Sequence, residues 1–290
     1  MRQFTRAVGI AVLPLAMITA APAAEFSAKD LAAEEGKFAA YSVKHGMRAA
    51  FLEFFAAQSW LLRPEPVDAI AWVRGRPDPA IVLNWKSHLA VRSASGDLGM
   101  STGPTIFHSK ADPAAPAAHG EFFSVWQKQA NGDWKVFIDH GISHGPTATP
   151  NKLSEAPVIA IDLVAQASLT AGADDEAEQR FAASGIAGYA EVITPRTRLL
   201  REGRHPIDGV VAIGEFLKSQ SGQWTWTMKI KGASRANDFA YALGNYTWLS
   251  PEGVAQKGQF VRVWVREAGG AAARWTLAGE VLTPAPPPKS

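Results

Sequence analysis

Two segments of this chain repeat each other at a nearly constant spacing, and this repeat constrains the fold more than any other feature. Residues 97–103 resemble residues 238–244, and residues 120–126 resemble residues 258–264. Further matches keep the same order at a spacing of about 140 residues: residues 66–71 with 206–211, Trp85 with Trp226, Trp134 with Trp275, and Asp139 with Glu280. The repeat predicts two tandem copies of one domain, each of ordinary domain size.

Turn residues and strand formers predict an antiparallel meander in each copy. Asn131-Gly132 is typical of a tight hairpin turn, because both residues adopt positive φ at little cost. A second turn is expected at residues 95–97, between two β-rich segments. Helical spacing of apolar residues precedes the meander, between residues 28 and 57. Helices placed before an antiparallel sheet predict an α+β fold: two tandem cone-shaped domains, each with N-terminal helices packed on a curved sheet.

The amino terminus has the pattern of a secretory signal peptide. Arg2 and Arg6 precede an apolar run over residues 8–20, which ends in small residues. This run is shorter than the ~20 apolar residues that a membrane span needs, so we expect no stable anchor after cleavage. The domains are expected as follows: signal peptide 1–24, first domain 25–146, linker 147–172, second and shortened domain 173–283, disordered tail 284–290. A periplasmic location is therefore predicted.

Composition excludes several classes of function. The chain has 29 Lys and Arg against 27 Asp and Glu, and two of the arginines lie in the leader. No basic stripe remains in the mature chain, so a nucleic-acid partner is not expected. Cysteine is absent, which excludes disulfides, thiolate catalysis and cysteine metal sites. Phosphate loops, nucleophile elbows and zinc helices are also missing, so no cofactor and no metal are expected.

The turn and aromatic motifs resemble those of a known superfamily. Residues 95–99 with Gly103, and residues 125–134, are similar to motifs of the nuclear transport factor 2-like (NTF2-like) superfamily, a cone of the cystatin-like type. The closer resemblance is to small exported SnoaL-like domains, and it covers residues 29–145 better than residues 174–283. In that superfamily some members are isomerases, dehydratases or cyclases, whereas others only bind ligands or form dimers. The resemblance implies the fold and transfers no catalytic residue.

Three polar residues of the first domain are candidates for chemistry. Asp139 ends the last strand of the meander, where burial could turn a carboxylate into a general base. His140 follows it, and His88 precedes the second half of the meander. The alternative for each is a structural or solvated position, because exposed carboxylates and histidines are common.

Aromatic residues predict either a ligand pocket or a tightly packed core. The chain has 10 Trp. A pocket in the first domain would be lined by Tyr41, Trp60, Trp85 and Trp126. The alternative is core or interface packing, which large aromatic side chains provide equally well.

Three functions remain open from the sequence. The first is an exported small-molecule-binding or accessory protein, whose partner would be an apolar small molecule and whose two domains pair with each other or with a second copy. The second is a cofactor-independent acid–base enzyme that uses Asp139, His140 or His88 in the first domain. The third is a structural pairing module whose hollows are filled by side chains.

Overall fold

A computed structural model describes residues 26–148, 152–165, 173–266 and 274–286. The predicted signal peptide and the last residues of the predicted tail lie outside these described residues. Among the described helices, none is long and apolar enough to cross a membrane.

The first domain begins with two helices and continues into a meander. Its elements are α1 (Ala28–His45), α2 (Met47–Phe54), β1 (Phe55–Leu62), β2 (Pro66–Asp68), α3 (Ala69–Arg74), β3 (Ile81–Trp85), β4 (Leu89–Arg92), β5 (Leu98–Ser109), β6 (Ala118–Lys128), β7 (Trp134–His144) and β8 (Ile159–Asp162). The strand order is β2-β1-β7-β6-β5-β4-β8, and β3 also pairs with β5. Strand β8 lies in the segment interpreted as a linker and pairs in parallel with β4.

Local chemistry accounts for the ends of these elements. Ser27 and Asp30 form a capping box, in which each side chain satisfies a backbone N–H at the start of α1. Gly46, at φ 90°, separates α1 from α2, and a Cβ there would lie 2.5 Å from the Asp78 carboxylate. Gly132, at φ 92°, turns the β6–β7 hairpin as its Asn-Gly sequence predicts.

The second domain repeats the order of elements. It contains α4 (Ala173–Ser184), α5 (Gly188–Val192), β9 (Arg198–Arg201), β10 (Ile207–Asp208), α6 (Gly209–Leu217), β11 (Gln223–Ala233), β12 (Phe239–Leu249), β13 (Ala255–Val265) and β14 (Thr276–Pro284). The strand order is β10-β9-β14-β13-β12-β11, with only the β14–β9 pair parallel. The predicted fold class, α+β with two domains of helices on curved and mainly antiparallel sheets, is confirmed.

The two sheets pack against each other through the faces that their helices leave free. One core cluster combines residues of both domains, including Phe123 and Ile138 from the first and Phe239 and Val261 from the second. Separate clusters lie under the helices of each domain, such as Phe38 with Trp126 in the first. Each sheet therefore has one face toward its own helices and one face toward the other domain.

Matching β-bulges decide which residues face the helices. In the β6–β7 pair the register shifts between Val125 and Trp126, which leaves Phe137 as the extra residue. In the β13–β14 pair it shifts between Val263 and Trp264. A one-residue shift exchanges the two faces of a strand. Because of this shift Asp139, next to the interdomain residues of β7, turns toward the helices.

Candidate functional site

A row of polar side chains crosses the helix-covered face of the first sheet. Ser101, Ser124 and Asp139 are direct partners across β5, β6 and β7. Glu35 reaches this face from α1, where it shares one helical stripe with Leu31 and Phe38. These residues bring two carboxyl groups into the interior of a single domain.

Glu35 is fully buried and accepts two hydrogen bonds from indole groups. Trp85 Nε1 donates to Glu35 Oε1 and Trp126 Nε1 donates to Glu35 Oε2, both at 2.7 Å. Indole N–H groups are neutral donors, so they satisfy the oxygens without balancing a negative charge. Burial raises the pKa of Glu35 to about 8, and these two hydrogen bonds oppose the rise only in part.

Asp139 has fewer hydrogen-bond donors and keeps some exposed surface. Ser124 Oγ donates to Asp139 Oδ2 at 2.9 Å. Arg63, at the end of β1, lies within electrostatic range but donates its Nη1 hydrogen bond to the carbonyl of Leu62 at 2.7 Å. Burial raises the pKa of Asp139 to about 6, although Ser124 and the charge of Arg63 oppose the rise. Burial therefore brings the pKa values of both carboxyl groups close to neutral pH.

In the second domain, an arginine bridges the matching pair of carboxylates. Arg262 Nε donates to Glu280 Oε2 at 2.5 Å, and Arg262 Nη1 donates to Glu178 Oε2 at 2.9 Å. Trp264 Nε1 donates to Glu178 Oε1 at 2.6 Å, as Trp126 does to Glu35. Burial opposes the charge of Arg262, but Glu178 and Glu280 outweigh it and raise the pKa of that guanidinium.

Two more groups complete the partners of Glu280. Tyr189 on α5 donates its hydroxyl to Glu280 Oε1 at 2.7 Å, and Arg201 also binds that oxygen. Burial would raise the pKa of Glu280, but Arg201 and Arg262 outweigh it and hold the pKa below its usual range. Two arginines therefore balance two carboxylates in the interior of this domain.

Two differences leave the first domain without this balance. Ser124 occupies the register position of Arg262, one strand away from Asp139 as Arg262 is from Glu280. Phe51 occupies the position of Tyr189, because the backbone carbonyl of each accepts the N–H of the residue that follows its helix. Asp139 thus has no counterpart of the Arg262 guanidinium or of the Tyr189 hydroxyl, while Arg63 lies within electrostatic range of it.

A small cleft lies near Asp139; three arginines, Arg48, Arg63 and Arg76, line it, and neither carboxyl group does. It has a volume of about 120 Å³ and lies between α2, α3 and the end of β1, with Phe51, Leu61, Arg63, Trp72 and Arg76 among its lining residues. Leu61 is the direct β1 partner of Asp139. The cleft therefore reaches the sheet at the residue next to Asp139, on the side from which the Tyr189 hydroxyl is missing.

A larger cleft of about 440 Å³ lies in the second domain, away from its carboxylate pair. Phe181, Trp264, Arg266 and Trp275 are among its lining residues. The guanidinium of Arg266 lies 4.4 Å from the ring centroid of Trp275. Neither Glu178 nor Glu280 lines this cleft, just as neither Glu35 nor Asp139 lines the cleft of the first domain.

His140 and His88, the other two residues proposed for acid–base chemistry, do not lie at the same place as Asp139. His140 follows Asp139 on β7, so its side chain points to the opposite face and contacts Thr283 Oγ1 of the second domain at 2.8 Å. Burial lowers the pKa of His140 to about 3. His88 lies at the interdomain contact, where burial first and then Arg198 lower its pKa. Asp139 therefore has no histidine beside it to share a proton.

The four aromatic residues proposed to line a pocket are divided among three places. Trp85 and Trp126 meet at Glu35. Trp60 packs against the interdomain cluster, on the other face of the sheet. Tyr41 lies farther along α1, with its ring 4.3 Å from that of His45 and 5.8 Å from that of Phe54. Trp60 therefore lies apart from the two indoles, which corrects that part of the prediction, whereas Tyr41 packs against the same cluster as Trp85 and Trp126.

Sequence reasoning did not identify Glu35, Ser124 or Arg63. A signal for Glu35 was present, since it lies on the apolar stripe of α1 between Leu31 and Phe38, where a carboxylate is unusual. The contrast between Ser124 and Arg262 was also present at matching positions of the repeat. The consequence of this contrast depends on which carboxylates Arg262 contacts, and those contacts form only in the folded domain.

Comparisons with known proteins give weak similarities to solved structures. No protein-family model matches this chain, and no curated protein matches it. A ketosteroid isomerase-like protein from Erwinia carotovora atroseptica is 16% identical, over 40% of this chain and 93% of its own, with a TM-score of 0.31. An NTF2-like protein of unknown function in nutrient uptake from Rhodospirillum rubrum is 12% identical, over 38% of this chain and 97% of its own, with a TM-score of 0.32.

A third similar structure contains a ligand. A protein from Mycobacterium tuberculosis in complex with estradiol-17beta-hemisuccinate is 13% identical, over 38% of this chain and 91% of its own, with a TM-score of 0.31. Similarities of this size do not carry an activity from one protein to another.

Within the described residues, no group of three or more metal-ligating side chains is present.

Proposed function

We propose that this protein binds a small molecule in the first domain, at the cleft lined by Leu61 and Arg63, next to Asp139. The observation that carries this proposal is the contrast between the two domains. The second domain neutralises its buried carboxylates with Arg262, whereas the first keeps Ser124 at that position and a cleft beside Asp139. A buried carboxyl pair without a bridging cation is costly for folding alone, and such groups are frequent at binding and catalytic sites.

The second domain has a supporting role in this proposal. Its buried carboxylates are bridged by its own Arg262, and its sheet covers the free face of the first sheet. We propose that both domains are copies of one NTF2-like domain and that the protein acts after export to the periplasm. The repeat and the leader sequence support these statements.

Acid–base catalysis at the same site is the second candidate function. It is favoured by one observation, the difference between a pKa of about 8 for Glu35 and about 6 for Asp139. Near neutral pH, Glu35 would hold a proton while Asp139 had released one, which is the arrangement of a general acid next to a general base. Asp139 would contact the substrate, and Glu35 would act behind it through the buried row.

The test of binding uses the mature chain from Glu25 and the variant Ser124→Arg, which introduces the arginine of the second domain into the first. A panel of neutral, anionic and cationic small molecules is screened by thermal shift against wild type, Ser124→Arg and Asp139→Asn. Ser154→Arg is the control, because it adds the same charge at an exposed position between the domains. Binding to wild type and Ser154→Arg, with loss in Ser124→Arg, is the expected result. If no compound distinguishes wild type from Ser124→Arg, the two domains form a pairing module without this site.

A further inference from the structure

We propose that the ligand of the first domain is an organic anion, a carboxylate or phosphate group on an apolar body, whose oxygens bind the arginines of the first-domain cleft. This inference rests on the proposed function and names the chemical class of its ligand. The described lining of this cleft consists of Arg48, Arg63 and Arg76 with apolar and aromatic residues, and it includes no carboxylate. A concave surface that carries charges of one sign attracts ligands of the opposite sign.

Arg63 and Arg201 occupy matching strand positions, but only Arg201 forms an ion pair. Each donates Nη1 to the carbonyl of the preceding leucine, at 2.7 Å for Arg63 and 3.0 Å for Arg201. Arg201 Nη2 then binds Glu280. Asp139 stands at the position of Glu280 with a side chain one methylene shorter, and within the described residues no carboxylate forms an ion pair with Arg63. Arg63 therefore keeps N–H donors that a ligand can use.

Backbone carbonyls at the end of α3 hold the other two arginines. Arg48 donates Nε to the carbonyl of Arg76 at 2.9 Å and Nη2 to the carbonyl of Arg74 at 3.3 Å. Arg76 donates Nη1 to the carbonyl of Trp72 at 3.2 Å, and its guanidinium carbon lies 3.1 Å from the centroid of the Trp72 ring. Neutral acceptors and an aromatic face fix these guanidinium groups without cancelling their charge, so the site is preorganised for an anion.

Two carboxylates lie close to these arginines and have other partners. Asp78 forms an ion pair with Lys110 at 2.5 Å and accepts the backbone N–H of Arg48 at 2.7 Å. Asp139 accepts the hydroxyl of Ser124 at 2.9 Å, on the sheet side of the cleft. Neither carboxylate lines the cleft. An anion that enters it therefore meets guanidinium groups and apolar side chains.

The second domain does not repeat this group of arginines. Ile186 stands at the position that matches Arg48, and Phe216 stands at the position that matches Arg76. The third arginine of that domain, Arg201, is paired with Glu280. Two cations are thus replaced by apolar side chains, and the third is neutralised within the chain. The difference between the domains again places the binding site in the first.

The size and lining of the cleft limit the bound group. Its volume of about 120 Å³ is well below the ~300 Å³ lower limit of pockets that enclose drug-sized molecules. Phe51, Leu61 and Val73 supply apolar surface beside the guanidinium groups. The N–H groups of a guanidinium match the paired oxygens of a carboxylate or a phosphate. The cleft therefore suits an anionic head group with a small apolar body.

Asp139 modulates the charge of Arg63 from the sheet side, which predicts how binding changes with pH. The groups around Asp139 are Glu35 from α1, Arg63 from β1 and Ser124 from β6. Burial places the pKa of Glu35 at about 8 and that of Asp139 at about 6, so both carboxyl groups take up protons as the pH falls through this range. Affinity for an anion that stays ionised should therefore rise from about pH 8 to about pH 6.

The first experiment compares probes of one shape and different charge. Benzoate, phenyl phosphate, benzamide and benzamidinium are titrated into the mature protein by calorimetry at about pH 7 and constant ionic strength. We expect saturable binding of at least one of the two anions and none of benzamide or benzamidinium. Arg63→Gln and Arg76→Gln should each weaken anion binding by about tenfold or more, because each removes charged donors. Arg74→Gln, at an exposed residue outside the cleft, should leave it unchanged.

The second experiment changes the carboxylate behind Arg63. Asp139→Glu gives this position the length of Glu280, so the carboxylate should pair with Arg63 and lower the affinity for the anion. Asp139→Asn removes the negative charge and should raise that affinity. Shifts in opposite directions are expected of an anion held by Arg63. Shifts in the same direction, with both variants folded, would overturn the inference.

A third measurement uses the unaltered chain and does not depend on the folding of any variant. Phenylglyoxal modifies accessible arginines, and mass spectrometry locates the products. Saturating anion should protect Arg76 from modification and leave Arg74 unprotected, since both are exposed but only Arg76 lines the cleft. Benzamide should protect neither. Equal modification of Arg76 with and without the anion would contradict binding at this site.

The outcomes separate this inference from the proposed function. If benzamide or benzamidinium binds wild type and Ser124→Arg abolishes that binding, the first domain is a binding domain but the anionic class is wrong. If the anions bind wild type, Arg63→Gln and Arg76→Gln equally well, they bind elsewhere and the inference is overturned. If no compound of any charge binds wild type, the proposed function fails together with it.

Discussion

Asp97 and Asp238 occupy matching turns, and each accepts a backbone hydrogen bond from the other domain. The N–H of Arg235 donates to Asp97 Oδ2 at 3.0 Å, and the N–H of Ala94 donates to Asp238 Oδ2 at 2.8 Å. Ala94 and Arg235 are themselves matching residues of the repeat. The two domains therefore meet through a reciprocal contact like that of a symmetric homodimer, formed within one chain.

Replacing either aspartate should weaken the interdomain contact. Asp238→Asn places an amide in a fully buried position that accepts hydrogen bonds from Ala94 and Ser234. The loss should be about 1–3 kcal/mol in the free energy of unfolding, as for a buried group that loses its partner. Urea unfolding measures it, with Asp133→Asn as the control in a hairpin turn that stays within one domain. Equal stabilities of the two variants would contradict the prediction.

Arg262 should be among the most sensitive residues of the second domain. Arg262→Met leaves Glu178 and Glu280 buried without the cation between them, which typically costs about 3–5 kcal/mol. Lys257→Met on the same strand is the matched control, since Lys257 is exposed. Denaturant unfolding of both variants measures the difference. A loss in Arg262→Met no larger than in the control would show that the arginine does not stabilise this interior.

Glu35 should make the protein less stable as the pH rises. The pKa of Glu35 is about 8 in the folded protein, whereas an ordinary glutamate has a pKa of 4.5. Between these two pH values the folded state holds a proton that the unfolded chain has released. Stability is therefore lost as the pH rises, by a few kcal/mol in total. Glu35→Gln should flatten this part of the pH profile, whereas Glu53→Gln, at an exposed position of α2, should not. An unchanged profile in Glu35→Gln would show that this carboxyl group does not hold the proton.

His140 should contribute to unfolding in acid. Burial lowers its pKa from 6.5 to about 3, so the unfolded chain takes up a proton that the folded protein excludes. Stability from this position is complete above about pH 6.5 and is lost as the pH falls toward 3. His140→Asn should move the acid-unfolding midpoint, followed by circular dichroism, to lower pH. His45→Asn, at an exposed position, should leave the midpoint in place.

Local sequence signals predicted most of the fold. Asn131-Gly132 and Ser27 with Asp30 have short-range effects on the backbone, so their turn and helix start follow from neighbouring residues alone. The repeat extended the same prediction to the second domain. The strand at Ile159–Asp162 was not assigned, because a short apolar segment after a Pro-rich stretch does not show whether it will find a strand partner.

The candidate site could be predicted only in part. Asp139 and Trp126 were identified, but the structure does not bring His140 or His88 to the same place as Asp139. The register shift at Phe137 exchanges the faces of β7, so that Asp139 faces the helices and His140 contacts the other domain. Alternation along a strand cannot reveal a bulge, because the extra residue is defined by its pairing with the neighbouring strand.

By itself, the sequence determined the α+β class and the two-domain layout, because these depend on local turn chemistry and on sequence matches at a near-constant spacing. Tertiary structure decided the electrostatics of the two interiors. Ser124 and Arg262 stand at matching positions in the sequence, but only the packed helices show that Arg262 lies between two carboxylates and that Ser124 leaves Asp139 and Glu35 without such a cation. The pKa of a buried group depends on every charge and dipole packed around it, and those neighbours come from distant parts of the chain.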